Sequence, residues 1–341
     1  MRHVNIPIFI PHLGCPNQCV FCNQKSISGV DYFDSSSVIN IIENALQTIS
    51  KHDDVEIAFF GGSFTGIDRE LMIDLLQIAY SFIKSGRVSS IRCSTRPDYI
   101  DPEILSILKK YGVKTIELGL QSCSDDVLKL TKRGHNFEAE KLACDLIVKQ
   151  GFDLVGQMMI GLPGSTLEIE LETCKFIIDS GAKAARIYPT VVFRDTELCT
   201  LTELAKYNPL TIDQAIERSA RVLEKFIDNN VDVIRIGLQS SENLSNDKYC
   251  AGPNHPALGE LVIGELYFNK IAKILQEKQI SSNDNITVFV SKGALSKAVG
   301  QNGKNKKRLA ENFKFLRFAE NDRLNGYEIS VENTNGENKC I

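Results

Sequence analysis

The stretch "NIPIFIPHLGCPNQCVFC", residues 5–22, runs from an apolar segment with strand character directly into three cysteines, Cys15, Cys19 and Cys22. The same arrangement, an apolar run followed by a polar or glycine-rich loop, recurs down the chain. "VEIAFF" (55–60) leads into "GGSFTG", "SSIRCS" (89–94) into "TRPD", "VKTIELGL" (113–120) into "QSCSDD", and "LVGQMMI" (154–160) into "GLPGST". A sixth run, "AARIYPTVV", covers 184–192. Helix-length amphipathic segments lie between them at 36–50, 68–85, 101–111, 136–150 and 165–180, with Asp68 and Ser165 as capping residues.

Strand and helix alternating in this way predict βα units and a parallel sheet. Runs apolar on both faces are those of buried parallel strands. The fold class expected is α/β, a partial (β/α)6 TIM-like barrel. In such barrels the loops leaving the C-terminal strand ends carry the chemistry, and the cysteine segment is the first of them.

The 341 residues are 43% hydrophobic and 24% charged, with a net charge of −4. Bulk electrostatics therefore exclude a polyanion binder, and any nucleic-acid contact needs a local basic patch. No apolar run reaches the roughly 20 residues of a membrane span. The N-terminus reads as a strand rather than a signal peptide. Ten cysteines over this length are too sparse for a secreted disulfide scaffold, so a cytoplasmic location is expected, where clustered cysteines bind metal. Cys93, Cys123, Cys144, Cys174, Cys199 and Cys250 are isolated in sequence and read as small buried hydrophobes.

Cys-x3-Cys-x2-Cys places three thiolates on one tight loop and leaves one coordination position open. An iron–sulfur cluster with a free iron fits that count. A zinc site would need a fourth ligand, for which His12 is at hand.

With Phe21 as the aromatic of Cys-x3-Cys-x-aromatic-Cys, "CPNQCVFC" resembles the signature of radical SAM enzymes. The resemblance implies that Cys15, Cys19 and Cys22 hold a 4Fe-4S cluster whose open iron chelates S-adenosylmethionine. Reductive cleavage then gives methionine and a 5′-deoxyadenosyl radical. An electron donor such as a flavodoxin or ferredoxin is implied as well. Over residues 1–237, "STRPDYI", "IELGLQS", "RGH", "MMIGLPGST" and "IYPTVVFRDTEL" are similar to the radical SAM core of Elongator's catalytic subunit. Oxygen-independent coproporphyrinogen oxidase is a more distant likeness.

The resemblance assigns Gly61, Gly62 and Ser63 to the amino group of S-adenosylmethionine, and Gln121, Arg133 and Gln157 to its ribose and carboxylate. Amide and guanidinium groups suit those partners. Ser94 stands where relatives carry Glu and keeps a hydroxyl for the ribose. The resemblance does not extend to Elongator's acetyltransferase domain, so the same carboxymethyl product is not an expectation.

Instead, a linker and long helix (238–283) lead to "NITVFVS", "KGALSKAVG", "GQNG", "KNKKRLAENF" and "KFLRFAE". Strand–helix–GxxG–helix–strand is the core order of a KH domain, whose loop clamps nucleotide backbone. A small α+β KH-like module is thus expected over 284–333, and a disordered tail over 334–341. Residues 292–308 hold six Lys or Arg and no acid. Gly300, Gln301, Asn302, Gly303, Lys304, Lys306, Lys307 and Arg308 are the candidate RNA contacts. The expected function is radical modification of a base in RNA, tRNA foremost. The alternatives are a radical SAM enzyme acting on a small metabolite or tetrapyrrole, and a zinc-holding RNA-binding protein without catalysis.

Overall fold

The computed structural model describes residues 2–10, 13–15, 19–23, 33–238, 248–281, 284–311, 313 and 315–333. The expected tail, 334–341, and His12 lie outside them. The chain divides into two compact units, 1–211 with 225–254, and 212–224 with 255–341.

The first unit is built on a parallel sheet of seven strands: β1 (His3–Ile10), β2 (Asp54–Gly61), β3 (Ser90–Thr95), β4 (Val113–Gln121), β5 (Asp153–Ile160), β6 (Ala184–Pro189) and β8 (Asp232–Ile236). They lie in that order across the sheet. This is the curled half-barrel that the alternation predicts, with β8 as a seventh strand beyond the six apolar runs. The run at 184–192 divides: after β6 the chain turns into β7 (Val192–Phe193), which pairs antiparallel with β9 (Tyr249–Ala251).

Helices α1 (Val38–Thr48), α2 (Arg69–Lys84), α3 (Pro102–Lys110), α4 (Asp125–Leu130), α5 (Phe137–Lys149), α6 (Leu167–Asp179) and α7 (Glu197–Glu203) follow the strands. Asp68 caps α2 as expected, accepting from the Glu70 and Leu71 amides. Thr166, rather than Ser165, caps α6, because the Ser165 hydroxyl turns to Glu170. Strand alternation puts Ile57, Ile91 and Leu118, all fully buried, on the helix-covered face. A Cβ on Gly156 would come within 2.5 Å of the Ile177 side chain, which shows how closely α6 approaches β5.

The second unit takes residues 212–224 of α8 (Ile212–Asp228), the helix α9 (Leu258–Glu277), and a three-stranded sheet of β11 (Phe315–Glu320), β10 (Asn285–Val290) and β12 (Ile329–Asn333). β10 is parallel to β11 and antiparallel to β12. Short helices α10 (Leu295–Val299) and α11 (Lys304–Ala310) flank the GQNG segment. Tyr267, Ile271 and Leu275 of α9 share one apolar core with Ile286, Val288, Ala298, Leu309 and Val331. Among the described residues, no helix is long and apolar enough to cross a membrane.

Candidate functional site

The loops that follow β1 to β5 all leave C-terminal strand ends of one parallel sheet, so five sequence motifs meet on one rim. The register places Ile10 opposite Gly61. There the Gly62 amide donates to the Ile10 carbonyl at 2.9 Å. Gly61 has φ +114, and a Cβ on it would lie 2.5 Å from the Ile10 oxygen. Only glycine fits there. A Cβ on Gly14 would lie 1.9 Å from the Ser63 oxygen. The cysteine loop is therefore seated backbone to backbone on the Gly61–Ser63 loop.

Cys19 is buried, and Cys15 and Cys22 are half-buried. Arg133 Nη1 points at the Cys19 sulfur from 3.4 Å and Arg96 Nη1 from 3.9 Å. Burial pushes the Cys15 thiol above its ordinary value, against the pull of the Ser63 backbone and of Arg96 and Arg133. Phe21 and Val20 rest on a small apolar cluster with Val192, Leu198 and Tyr207. The two guanidiniums stand where they would balance the charge of sulfur ligands on a metal.

The assigned cofactor residues take different places. Gln121 ends β4 at φ +71, rare for a residue with a side chain, and its Oε1 is buried without a hydrogen-bond partner. Such an acceptor suits a ligand hydroxyl. Gly119 leaves room for the Gln121 amide: a Cβ there would sit 3.1 Å from Nε2. Arg133 spends its guanidinium on Cys19 and on the Gly119 carbonyl at 2.5 Å. Ser63 turns its hydroxyl inward, 2.8 Å from Thr95 Oγ1. Gln157 donates to Glu117 at 2.9 Å, and Ser94 is half-buried on β3. Gly61 and Gly62 are half-buried, and the orphaned Gln121 acceptor and the glycine cradle fit a polar ligand held at a cluster on this loop.

Two charged constellations have no counterpart in the sequence reading. Beneath the rim, Glu117 accepts from Arg92 and Arg186, each at 2.9 Å, and Arg92 also pairs with Glu56 at 2.5 Å. Arg186 stands 5.4 Å from the centroid of Phe60, whose ring lies 6.2 Å from that of Phe9. Beside Cys19, Arg96 grips Asp98 through Nε and Nη2, each at 2.9 Å, and His135 contacts both Asp98 and buried Glu140. "TRPD" and "RGH" mark these residues, but 37 positions separate Arg96 from Arg133, and only the fold joins them.

Among the isolated cysteines, Cys93, Cys144 and Cys174 are buried as expected, and burial pushes the Cys144 and Cys174 thiols up to about 12. Cys123 is only half-buried, with the Thr173 hydroxyl 3.4 Å from its sulfur, and Cys199 and Cys250 are the larger correction. α7 and β9 converge beside the cysteine loop and join them in a disulfide, with Cα atoms 6.2 Å apart. Glu203 Oε1 lies 3.7 Å from the Cys199 sulfur. His255 accepts from the Ala257 amide at 3.1 Å, holding the turn before α9.

In the GQNG segment, Gly300 and Gly303 have φ +78 and +72, and Asn302 has φ +54. Nothing lies within 4 Å of a Cβ placed on Gly303. Gln301, Asn302, Lys304, Lys306 and Lys307 are exposed. Lys304 pairs with Asp213 at 3.8 Å. Arg308 pairs with Glu265 at 2.7 Å and stacks 3.4 Å from the Phe268 centroid.

Residues 9–177 match the family model of the radical SAM superfamily, and residues 182–267 match the Radical_SAM C-terminal domain. The tRNA uridine(34) acetyltransferase of Methanocaldococcus infernus is 33% identical over 134 residues, covering 38% of this chain and 25% of that protein. Human Elongator complex protein 3 is 31% identical over 202 residues, covering 53% of this chain and 37% of that protein. The chain thus spans well under half the length of these relatives. The solved structure of Methanocaldococcus infernus Elp3 with an N-terminal deletion superposes with a TM-score of 0.58 at 21% identity, over 82% of this chain and 63% of the other. The fold, the rim of loops and both family models agree: the chain belongs to the radical SAM superfamily, with a core homologous to that of Elongator complex protein 3.

Proposed function

We propose that this chain is a radical SAM enzyme that modifies a base in RNA, tRNA foremost. The observation that carries the reading is the seat of the cysteine loop, with Gly14 backed onto Ser63, two guanidiniums aimed at Cys19, and the orphaned Gln121 acceptor on the same rim. Cys15, Cys19 and Cys22 would hold a 4Fe-4S cluster. Gly61 and Gly62 offer backbone to S-adenosylmethionine, and Gln121 offers its carbonyl to a ribose hydroxyl. When bound, the two groups supply one-electron cleavage of a carbon–sulfur bond and with it a 5′-deoxyadenosyl radical. The protein orients these partners and keeps water from the radical. Phe9 and Phe60 give a planar base a surface on which to stack.

The names of the relatives support tRNA as the polymer. So does the GQNG loop: an open approach at Gly303 and exposed Lys306 and Lys307 suit a phosphate backbone. The test is mass spectrometry of tRNA nucleosides from cells with and without the gene. One modified nucleoside should vanish and return with the wild-type chain but not with Cys19→Ala. Changing Gln301 and Asn302 to Asp should weaken tRNA binding at least tenfold. Unchanged binding would favour a small-metabolite substrate, and a colourless protein holding one zinc per chain would end the cluster reading.

A further inference from the structure

Arg96 has its donors engaged on several sides. Nε and Nη2 hold the two Asp98 oxygens at 2.9 Å, Nη2 also reaches the Arg133 carbonyl, and Nη1 is left for the Cys19 sulfur at 3.9 Å. A guanidinium is a planar fork, so fixing one edge aims the other. The group that fixes that edge is itself fixed from behind. His135 lies 3.4 Å from Asp98 through Nδ1, and 3.1 Å from Glu140 through Nε2. The side chains of His135 and Glu140 are 2% and 0% exposed. Glu140 enters from α5, one turn in from the Asn136 cap, with its second oxygen buried and unpartnered. A buried carboxyl with an unmatched oxygen costs stability, and its one described contact leads through His135 and Asp98 to the cysteine.

We infer that Glu140 and His135 are positioning residues that hold the Arg96 guanidinium against Cys19 and so set the reduction potential of the cluster bound there. The inference rests on the cluster reading above. Hydrogen bonds and positive charge at a ligand sulfur favour the reduced, more negative cluster and raise its potential. Freeing Arg96 lowers it. For Glu140→Ala the sign separates this route from simple electrostatics, since deleting a carboxylate's negative charge would on its own raise the potential; for His135→Phe the loss of its effect in the Arg96→Gln background does so.

The experiment is an EPR-monitored redox titration of the anaerobically reconstituted protein. Glu140→Ala and His135→Phe should each shift the midpoint to more negative values. Neither should shift it further in an Arg96→Gln background, because both act through that guanidinium. Glu170→Gln is the matched control. Glu170 is equally buried on the neighbouring helix α6 but bonds the Gly161 amide at 2.7 Å, away from Arg96, so the midpoint should stay. An unmoved or raised midpoint in Glu140→Ala or His135→Phe overturns the inference, as does a shift that adds to that of Arg96→Gln. If one variant does not fold, the other alone decides. Failure to form any 4Fe-4S signal in the wild-type protein would sink the cluster reading itself, a separate result.

Discussion

The Leu198 amide donates to the Val20 carbonyl at 2.8 Å, tying the first turn of α7 to the cysteine loop between Cys19 and Phe21. From the other side the Val20 amide donates to the Thr131 carbonyl at 3.2 Å. Leu198 itself is fully buried against Val20, Val192 and Tyr207. The segment that carries the candidate ligands is thus held by packing as well as by backbone bonds. Leu198→Ala removes that packing and should cost about 2–4 kcal/mol. Chemical denaturation of the apoprotein reads the loss. Iron per chain after reconstitution should fall with it, and a variant of unchanged iron content would detach α7 from the site.

A methyl group on Gly14 meets a backbone oxygen rather than a side chain that could swing away. Gly14→Ala should therefore displace the cysteine loop from the Gly61–Ser63 loop, and iron and sulfide counts should drop severalfold while the helical circular-dichroism signal stays. Retention of full iron would show that the two loops separate without harm to the site.

The disulfide between Cys199 and Cys250 spans 51 residues of sequence. Cross-linking a loop of that length stabilises by roughly 4 kcal/mol in the chain-entropy picture. A reductant should lower the melting temperature of the oxidised wild-type protein and leave that of Cys250→Ala where it is. Equal effects on both would rule the bond out as a staple.

Much of this was legible in the residues. Runs apolar on both faces and ending in glycine or polar loops announce parallel strands with a functional rim, because helices cover the outer face of such a sheet. β8 is faint in the sequence because "DVIRI" carries Asp232 and Arg235 and lies at the sheet edge, partly exposed, where no continuous apolar run is required. The charged layer was hidden for the opposite reason. Glu56, Arg92, Glu117 and Arg186 each read singly as a polar interruption of a strand, and their pairing depends on curling the sheet until inner-face side chains from different strands meet. The Cys199–Cys250 pair, distant in sequence, likewise needed β7 and β9 to be side by side.

Acid and base should pull the stability of the first unit in different windows. Burial raises the Glu140 carboxyl to about 7, against the lowering influence of His135. Its folded pKa lies above the unfolded value, so its contribution is full below the ordinary carboxylate range and declines as pH rises toward 7. Asp98 is the reverse. Burial works against it, but hydrogen bonds from His135 and Arg96 hold it well below the ordinary range, so its contribution is present above that range and is lost in acid. Urea midpoints between pH 5 and 7.5 should fall for the wild type and run flat for Glu140→Gln. Parallel slopes would remove Glu140 from the balance.

Glu117 offers the strongest contrast between buried and exposed charge. Its side chain is 1% exposed and takes Arg92 Nη1 and Arg186 Nη2 on Oε1, and Gln157 on Oε2, each at 2.9 Å. Arg186 Nε also lies 2.8 Å from Oε2, close but poorly aligned for a hydrogen bond. Glu117→Gln keeps the shape and removes the charge, leaving Arg92 paired with Glu56 alone and the largely buried Arg186 stripped of the carboxylate it pairs with. Breaking a buried pair in this way costs about 3–5 kcal/mol, because the stranded cations keep their desolvation penalty and lose its compensation. Lys175→Ala breaks an exposed i,i+4 pair with Asp179 and should cost under about 0.5 kcal/mol. Urea denaturation of the two variants side by side gives the comparison. If Glu117→Gln proves as mild as Lys175→Ala, water must reach the charged layer, and the floor of the barrel is open rather than sealed.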